Sequence, residues 1–396
     1  MTQPLVPRIL RPRRAAPAEA IRPTRAEINL GALRHNARVL RKHAGGSQLW
    51  AVMKADAYGH GAPAVARTLE RAGVDGFCVA LLEEGVELRE AGIVAPILVM
   101  GGHYGTAHEE ALARGLTPVV HDLSAVAAFA RLVRSGSVPG PVDVHLKVDT
   151  GMARLGATLR ELPELATELA DTREVRVCGL MTHLACADAA ECEPVLEQMR
   201  LLDEASAILA CHGIRPRLRH AANSAALLRG HGLLDAVRPG LALFGVSPRI
   251  GSQALTADIK PVMRVRSEVV ALREVEEGAS VGYGSTWRAD RRSRIATVPI
   301  GYADGLSRRA GNRGQVLVRG RRAPVVGAVS MDMTMVDVSE IDGASLGDEV
   351  VILGSQDSPL GRASIGADEM AATAETIPWE VLTSISRRVP RFYREP

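Results

Sequence analysis

The sequence predicts an α/β protein: an N-terminal (β/α)8 barrel followed by a C-terminal, mostly-β domain. Three observations predict it. Eight short apolar runs between Leu49 and Arg238 alternate with helix-length amphipathic stretches, as consecutive parallel βαβ units do. Polar residues recur at the ends of those runs, where barrel enzymes gather their chemistry. Beyond residue 261 helical spacing gives way to alternating or apolar runs broken by glycine. An open doubly wound sheet would suit the strand count nearly as well, but no GxGxxG follows the first run. The boundaries read as a flexible basic tail over 1–22, the barrel over 23–260 and the β-rich domain over 261–396.

Taken in order, Arg25 onward (AEINLGALRHNARVLRKHAG) places Leu30, Leu33, Ala37 and Leu40 at helical spacing, stopping at Gly45-Gly46. Leu49–Met53 is the first strand. The others are Phe77–Ala80, Ile97–Met100, Pro118–Val120, Val142–Val148, Val175–Thr182, Leu218–Ala222 and Ala236–Arg238. Stretches such as LLEEGVELREAG and EPVLEQMRLLDEASAILACHG supply the intervening helices. In the second domain, strands over 262–275, 294–300, 315–318, 323–338 and 349–353 precede one helix over 365–375.

Composition narrows the function. The 396 residues carry a net charge of +3, with much of the excess in the N-terminal tail, so nucleic acid is not the expected partner. Five cysteines lie scattered without CxxC spacing, which points to reduced thiols in a cytoplasm rather than a disulfide frame or a zinc site. No apolar run reaches membrane length, and the arginine-bearing N-terminus lacks the apolar core of a signal peptide.

The chemistry centres on Lys54, at the end of the first strand. An amine there is partly desolvated, which lowers its pKa, and an amine must lose its proton before attacking a carbonyl. Lys147 and Asp149 close strand five, His183 closes strand six, Asn223 and Ser224 follow strand seven, and Arg238 closes strand eight. Ser224 with the Gly240-Leu241 amides could receive a phosphate at the position barrels commonly use. Singly, each has an ordinary alternative: a surface lysine, a core histidine, an ion-paired arginine. Together they point to a phosphorylated cofactor beside a lysine amine.

AVMKADAYGHG, HLKVDTGMARLG, GLMTHLACAD, AANSAALL, VRPGLALFG, VGYGSTW, IGYADG and SMDM, in that order, resemble the alanine racemases over nearly the whole chain, from about Arg25 to Tyr393. The resemblance implies a pyridoxal 5'-phosphate enzyme interconverting L- and D-alanine, a homodimer with shared active sites, and D-alanine for peptidoglycan as the use. By this resemblance Lys54 matches the lysine that holds the cofactor and acts as one base. Tyr283 matches a second base donated by the partner subunit. Arg238 matches the arginine on the pyridine nitrogen, and His183 and Arg154 match residues that orient Arg238, Tyr283 or the substrate carboxylate. Tyr58, Ser224, Gly240 and Leu241 match phosphate contacts, and Lys147 a lysine carbamylated in many members. Met331 matches a substrate-carboxylate contact from the partner chain, and Tyr302 and Asp188 an access corridor.

Two departures bear on substrate. Trp379 stands where the family usually has a tyrosine that touches the phosphate and borders the substrate methyl. An indole is bulkier and only donates, so the pocket is expected to be no larger than alanine needs. Ser330 replaces a common cysteine beside the substrate. Ala153 for glycine and Phe244 for tyrosine read as packing changes. The alternatives are a racemase of another small amino acid such as serine, and a cofactor- or drug-binding protein without turnover.

Overall fold

The computed structural model describes residues 21–103, 107–251 and 253–395. Its chain forms two compact units: Ile28–Met263 with Thr376–Ser384 and the residues from Tyr393, and Arg264–Glu375 with Ile385–Phe392 and the described residues up to Glu27. Most of the basic tail, residues 1–20, lies outside the described residues. Its last member, Arg22, is held by two hydrogen bonds to the Asp304 carboxylate, at 2.7 and 3.0 Å.

The first strand of the chain, β1 (Arg25–Asn29), corrects the sequence reading, which took this stretch into the helix. Asn29 divides the two elements: its extended backbone ends the strand, and its side-chain oxygen accepts from the Ala32 N–H at 2.8 Å. The N-cap satisfies one of the helix's orphan donors, so the helix starts at Leu30. Upstream, Ala26 and Ile28 are fully buried in the strand.

The barrel follows as read. Strands β2 (Gln48–Val52), β3 (Gly76–Val79), β4 (Ile97–Val99), β5 (Thr117–Val120), β6 (Val142–Lys147), β7 (Val175–Met181), β8 (Leu218–His220) and β9 (Ala236–Val237) are parallel and close on themselves. Closure is the pairing of β2 with β9, Gln48 opposite Ala236 and Leu49 opposite Val237. Leu49, Ala51, Phe77, Val79, Leu98, Val120, Leu146 and Leu180 are essentially inaccessible, as expected of strands covered on both faces. Among the described residues no helix is long and apolar enough to cross a membrane.

The other unit is built on sheets. One has the order Arg321–Pro324, Gln315–Val318, Glu349–Ser358, Met263–Glu268, β1 and Arg391–Arg394, with Gly361–Ile365 paired to Glu349–Ser358. Another joins Ala271–Val275, Ser293–Val298 and Thr334–Asp337. Buried Glu27 accepts from Arg266 Nε at 3.0 Å and Arg264 Nη1 at 3.2 Å, and both arginines also bond Glu349. Arg25 Nε adds a further bond to Glu27 at 3.2 Å.

Candidate active site

Lys54 begins an unusual turn. Ala55, Asp56, Ala57 and Tyr58 all lie in the left-handed region, with φ between 53° and 55°. Such a conformation costs roughly 1–2 kcal/mol per L-residue, so its supports matter. Ala57 and Gly59 N–H groups bond back to Met53 and Ala55 carbonyls at 2.9 Å. The Glu84 carboxylate accepts from the Ala55 N–H at 2.6 Å on one oxygen, and from Ala80 and Leu81 at 2.8 and 3.1 Å on the other. Asp56 accepts from Ala62 N–H at 2.7 Å. Gly59 lies against the helix Pro378–Ser384 so closely that a Cβ would sit 2.4 Å from the Leu382 carbonyl oxygen. That helix carries half-buried Trp379.

Around this turn the barrel's C-terminal face gathers cations. The Lys54 side chain opens to solvent in the single chain. Its pKa is nevertheless lowered, chiefly by the burial its packing imposes, then by Arg154, while Glu84 opposes. Lys147 is buried and brought down to about 8 by burial, then Arg154 and Arg238. His183 is pushed to about 3 by burial and by Arg238, Arg154, Lys147 and Lys54. Lys54, Lys147 and His183 thus each lie in the field of other cations of the set. Arg154 rides a loop whose turn is held by Asp149, which accepts from Gly151 and Met152 N–H groups at 2.9 and 2.8 Å.

Arg238 is the deepest of these. Burial brings it down to about 10, still a guanidinium at working pH. It donates to His220 Nδ1 at 2.5 Å and to the Thr182 and Ala221 carbonyls at 2.7 and 3.2 Å. No carboxylate pairs with it among the described residues. Because a guanidinium only donates, His220 Nδ1 must accept and its proton sits on Nε2. His220 then donates to His145 Nδ1 at 2.8 Å. Burial keeps both rings neutral, pushing His145 to about 4 and His220 well below its ordinary value.

A second cradle lies between β8 and the segment after β9. Buried Ser224 Oγ accepts from the Gly240 and Ala242 N–H groups at 3.0 and 3.3 Å. A Cβ on Gly240 would come within 2.2 Å of the Tyr58 hydroxyl. That hydroxyl, on a buried ring, and the neighbouring buried Leu241 N–H meet no protein acceptor among the described residues. Burial pushes the Tyr58 pKa up, so the group stays a donor. A hydroxyl and an N–H, both without a protein acceptor and flanking a glycine, fit a phosphate, and a buried guanidinium without a carboxylate fits an acceptor such as a pyridine nitrogen. The residues present suit pyridoxal phosphate.

The remaining expected residues stand elsewhere. Asp188 is exposed on the loop after β7. In the β-rich unit, Tyr283, Tyr302 and Met331 are 74%, 42% and 52% exposed. Tyr302 and Met331 are tied: the Tyr302 N–H donates to the Ser330 carbonyl at 3.0 Å and the Ala303 N–H to Met331's at 3.1 Å. Ser330 spends its hydroxyl on Met333, donating to the carbonyl at 2.6 Å and accepting from the N–H at 3.1 Å.

Sequence reasoning passed over Glu84, His145, His220 and Gln198. Gln198 donates to the His183 carbonyl at 3.0 Å and accepts from Ala185 N–H at 2.8 Å. Their only sequence signal was polarity inside an apolar strand (His145, His220) or on a helix (Glu84, Gln198).

The fold and site define a barrel enzyme in which a lysine amine works beside a cradle for a small anionic group. The family model described as alanine racemase, N-terminal domain, matches residues 28–248, and that for the C-terminal domain matches 262–393. An alanine racemase of Sorangium cellulosum is 61% identical over 383 residues, covering 95% of this chain and 100% of that protein. The crystal structure of alanine racemase from D-cycloserine-producing Streptomyces lavendulae superposes with a TM-score of 0.89 at 35% identity, over 96% of this chain and 98% of that one. The racemase of Bartonella henselae, solved with covalently bound pyridoxal phosphate, gives 0.84 at 30% identity, over 94% and 99%. This chain belongs to the alanine racemase family, and it is an enzyme of alanine racemisation.

Proposed function

We propose that the chain interconverts L- and D-alanine with pyridoxal phosphate bound at Lys54, moving the substrate α-proton between Lys54 on one face and Tyr283 of the partner subunit on the other. The observation that carries this reading is the cluster of Lys54, Lys147, Arg154, His183 and Arg238 at one face of the barrel, which holds a buried guanidinium without a carboxylate. When bound, the cofactor supplies an electron sink that makes the α-proton removable.

Everything else falls to the protein. Lys54 holds the cofactor and, with its pKa lowered, serves as an amine base at Nζ. Tyr58, Ser224, Gly240 and Leu241 bind the phosphate, with Trp379 at the neighbouring rim. Arg238 donates to the ring nitrogen without protonating it, and the neutral His220–His145 pair fixes the guanidinium's orientation. His183 stays uncharged and orients Arg238 or Tyr283. Arg154 and the partner subunit's Met331 take the substrate carboxylate, with Tyr302 and Asp188 lining the approach. Lys147, with its pKa near 8, has enough free amine at neutral pH to take up CO2, and the resulting carbamate faces Arg154. A base donated across subunits makes the homodimer obligatory, and the reduced cysteines suit a cytoplasm.

D-alanine formation from L-alanine tests the reading. Tyr283→Phe should lose most of its rate while keeping the visible absorbance of bound cofactor, and lysine should turn over far more slowly than alanine because Trp379 fills the pocket. Undiminished turnover by the variant would remove the second base, and lysine racemised as fast as alanine would remove the pocket argument.

A further inference from the structure

The opposite end of the barrel holds a cleft that alanine chemistry does not use. It has a volume of about 450 Å3 and lies where β7 and β8 begin, between the ends of the helices Leu162–Asp171 and Glu193–Cys211. That volume is within the range of small-molecule sites. Arg173, Arg176, Arg215 and Arg217 line it, with the backbone turn His212–Ile214 between them. Buried Leu169 and Val175 contribute an apolar side.

The charge balance is what singles out this cleft. Nearby arginines are neutralised: Arg134 by Glu174 at 2.7 Å, Arg219 by Asp203 at 3.2 Å, and Arg176 by both oxygens of Asp143 at 2.5 and 2.9 Å. Arg173, Arg215 and Arg217 have no carboxylate within 4 Å among the described residues. Three exposed guanidinium groups thus line one cavity without an ion pair of their own, Glu174 acting on Arg173 only at a distance while it is bonded to Arg134, and each carries a planar fork suited to phosphate oxygens. His212 adds a ring nitrogen, since its Nδ1 is engaged by the Ile208 carbonyl at 2.9 Å and leaves Nε2 for a ligand. The competing role for the arginines is local. Both helices end here, and their C-terminal carbonyls attract cations on their own. That role asks for charge near the helix axes, however, and not for an apolar wall beside it.

We propose that this cleft binds a small phosphorylated metabolite that carries a ring, of the nucleoside di- or triphosphate class, with phosphates on Arg173, Arg215 and Arg217 and the ring against Leu169 and Val175. The test is calorimetric titration of the full-length, cofactor-loaded protein, so that the active-site phosphate cradle is already filled. ATP, pyrophosphate and adenosine are the probes, at about 0.15 M salt, where exposed charges more than about 8 Å apart are screened. One ATP should bind per chain, at least about tenfold tighter than pyrophosphate or adenosine, which in free energy is about 1.4 kcal/mol. Arg215→Ala/Arg217→Ala should weaken ATP at least about tenfold, with lysine at both positions recovering part of it. Racemisation and Tm should not change. ATP binding no tighter than pyrophosphate overturns the proposal, because the apolar wall then does nothing. Undiminished binding by the double alanine variant overturns it by placing the ligand elsewhere. An absence of saturable binding, with a fall in Tm in that variant, overturns it in favour of the helix-end role.

Discussion

Replacing Glu84 tests whether the left-handed turn after Lys54 is held up from outside. Four L-residues in that conformation cost about 4–8 kcal/mol relative to ordinary backbone. Glu84 offsets part of this with three hydrogen bonds to N–H groups, at 2.6, 2.8 and 3.1 Å. Bonds to a charged acceptor contribute about 1.5–3 kcal/mol each when buried. Ala55 and Leu81 are exposed and Glu84 is half-buried, so water replaces much of the loss and Glu84→Ala should cost about 2–3 kcal/mol. If that falls on the turn, apparent cofactor affinity should drop about tenfold or more through the smaller fraction of chains with Lys54 in place. Glu84→Gln keeps acceptor capacity and loses the charge, so it should fall between. It should also act on the amine: Glu84 raises the Lys54 pKa against burial and Arg154, so removing the charge lowers it further. The rate at which Lys54 captures pyridoxal phosphate, followed by visible absorbance against pH, should then have its midpoint at lower pH in Glu84→Gln than in the wild type. Unchanged affinity in Glu84→Ala, or a midpoint that moves up in Glu84→Gln, would refute the reasoning.

Other perturbations test other supports. His145 and His183 are held neutral, at about 4 and 3 against an ordinary 6.5. The unfolded chain therefore takes up their protons first, so stability present above pH 6.5 is lost as pH falls toward 4. Each should contribute a loss of about 1.4 kcal/mol between pH 7.5 and 5.5, read by denaturant unfolding, and His145→Asn should flatten the slope. Gly240→Ala puts a methyl 2.2 Å from the Tyr58 hydroxyl; cofactor release on dialysis should be faster, with Tm of the cofactor-free protein little altered. Glu27→Ala takes the buried carboxylate away from Arg264 and Arg266, leaving them Glu349 and, at 3.9 Å from Arg266, Glu268, and should destabilise by about 3–5 kcal/mol, visible as a large fall in Tm, which Glu27→Gln would only partly restore.

Much of the protein was decided along the chain. The eight apolar runs are barrel strands because a parallel strand buried on both faces needs apolar residues at every position, and that requirement shows in a short window. Lys54, Lys147, His183, Ser224 and Arg238 were legible because each directly ends or follows such a run, and strand ends in a barrel share one face. The β-rich unit was legible from its alternation.

What the tertiary structure alone decided depends on partners far away in sequence. β1 looked helical because its hydrophobic residues continue the helical spacing; pairing with strands more than 200 residues later makes it extended. The turn Lys54–Tyr58 has no glycine to announce a positive φ, and its left-handed backbone is supported by Glu84, 29 residues on, while the close approach of Leu382 leaves no room for a side chain at Gly59. Arg238 gains its orientation from His220 and, through it, from His145, 75 positions away from His220. Local periodicity records which residues must be buried. Which donor meets which acceptor is set only when the barrel closes and burial makes every unpaired polar group costly.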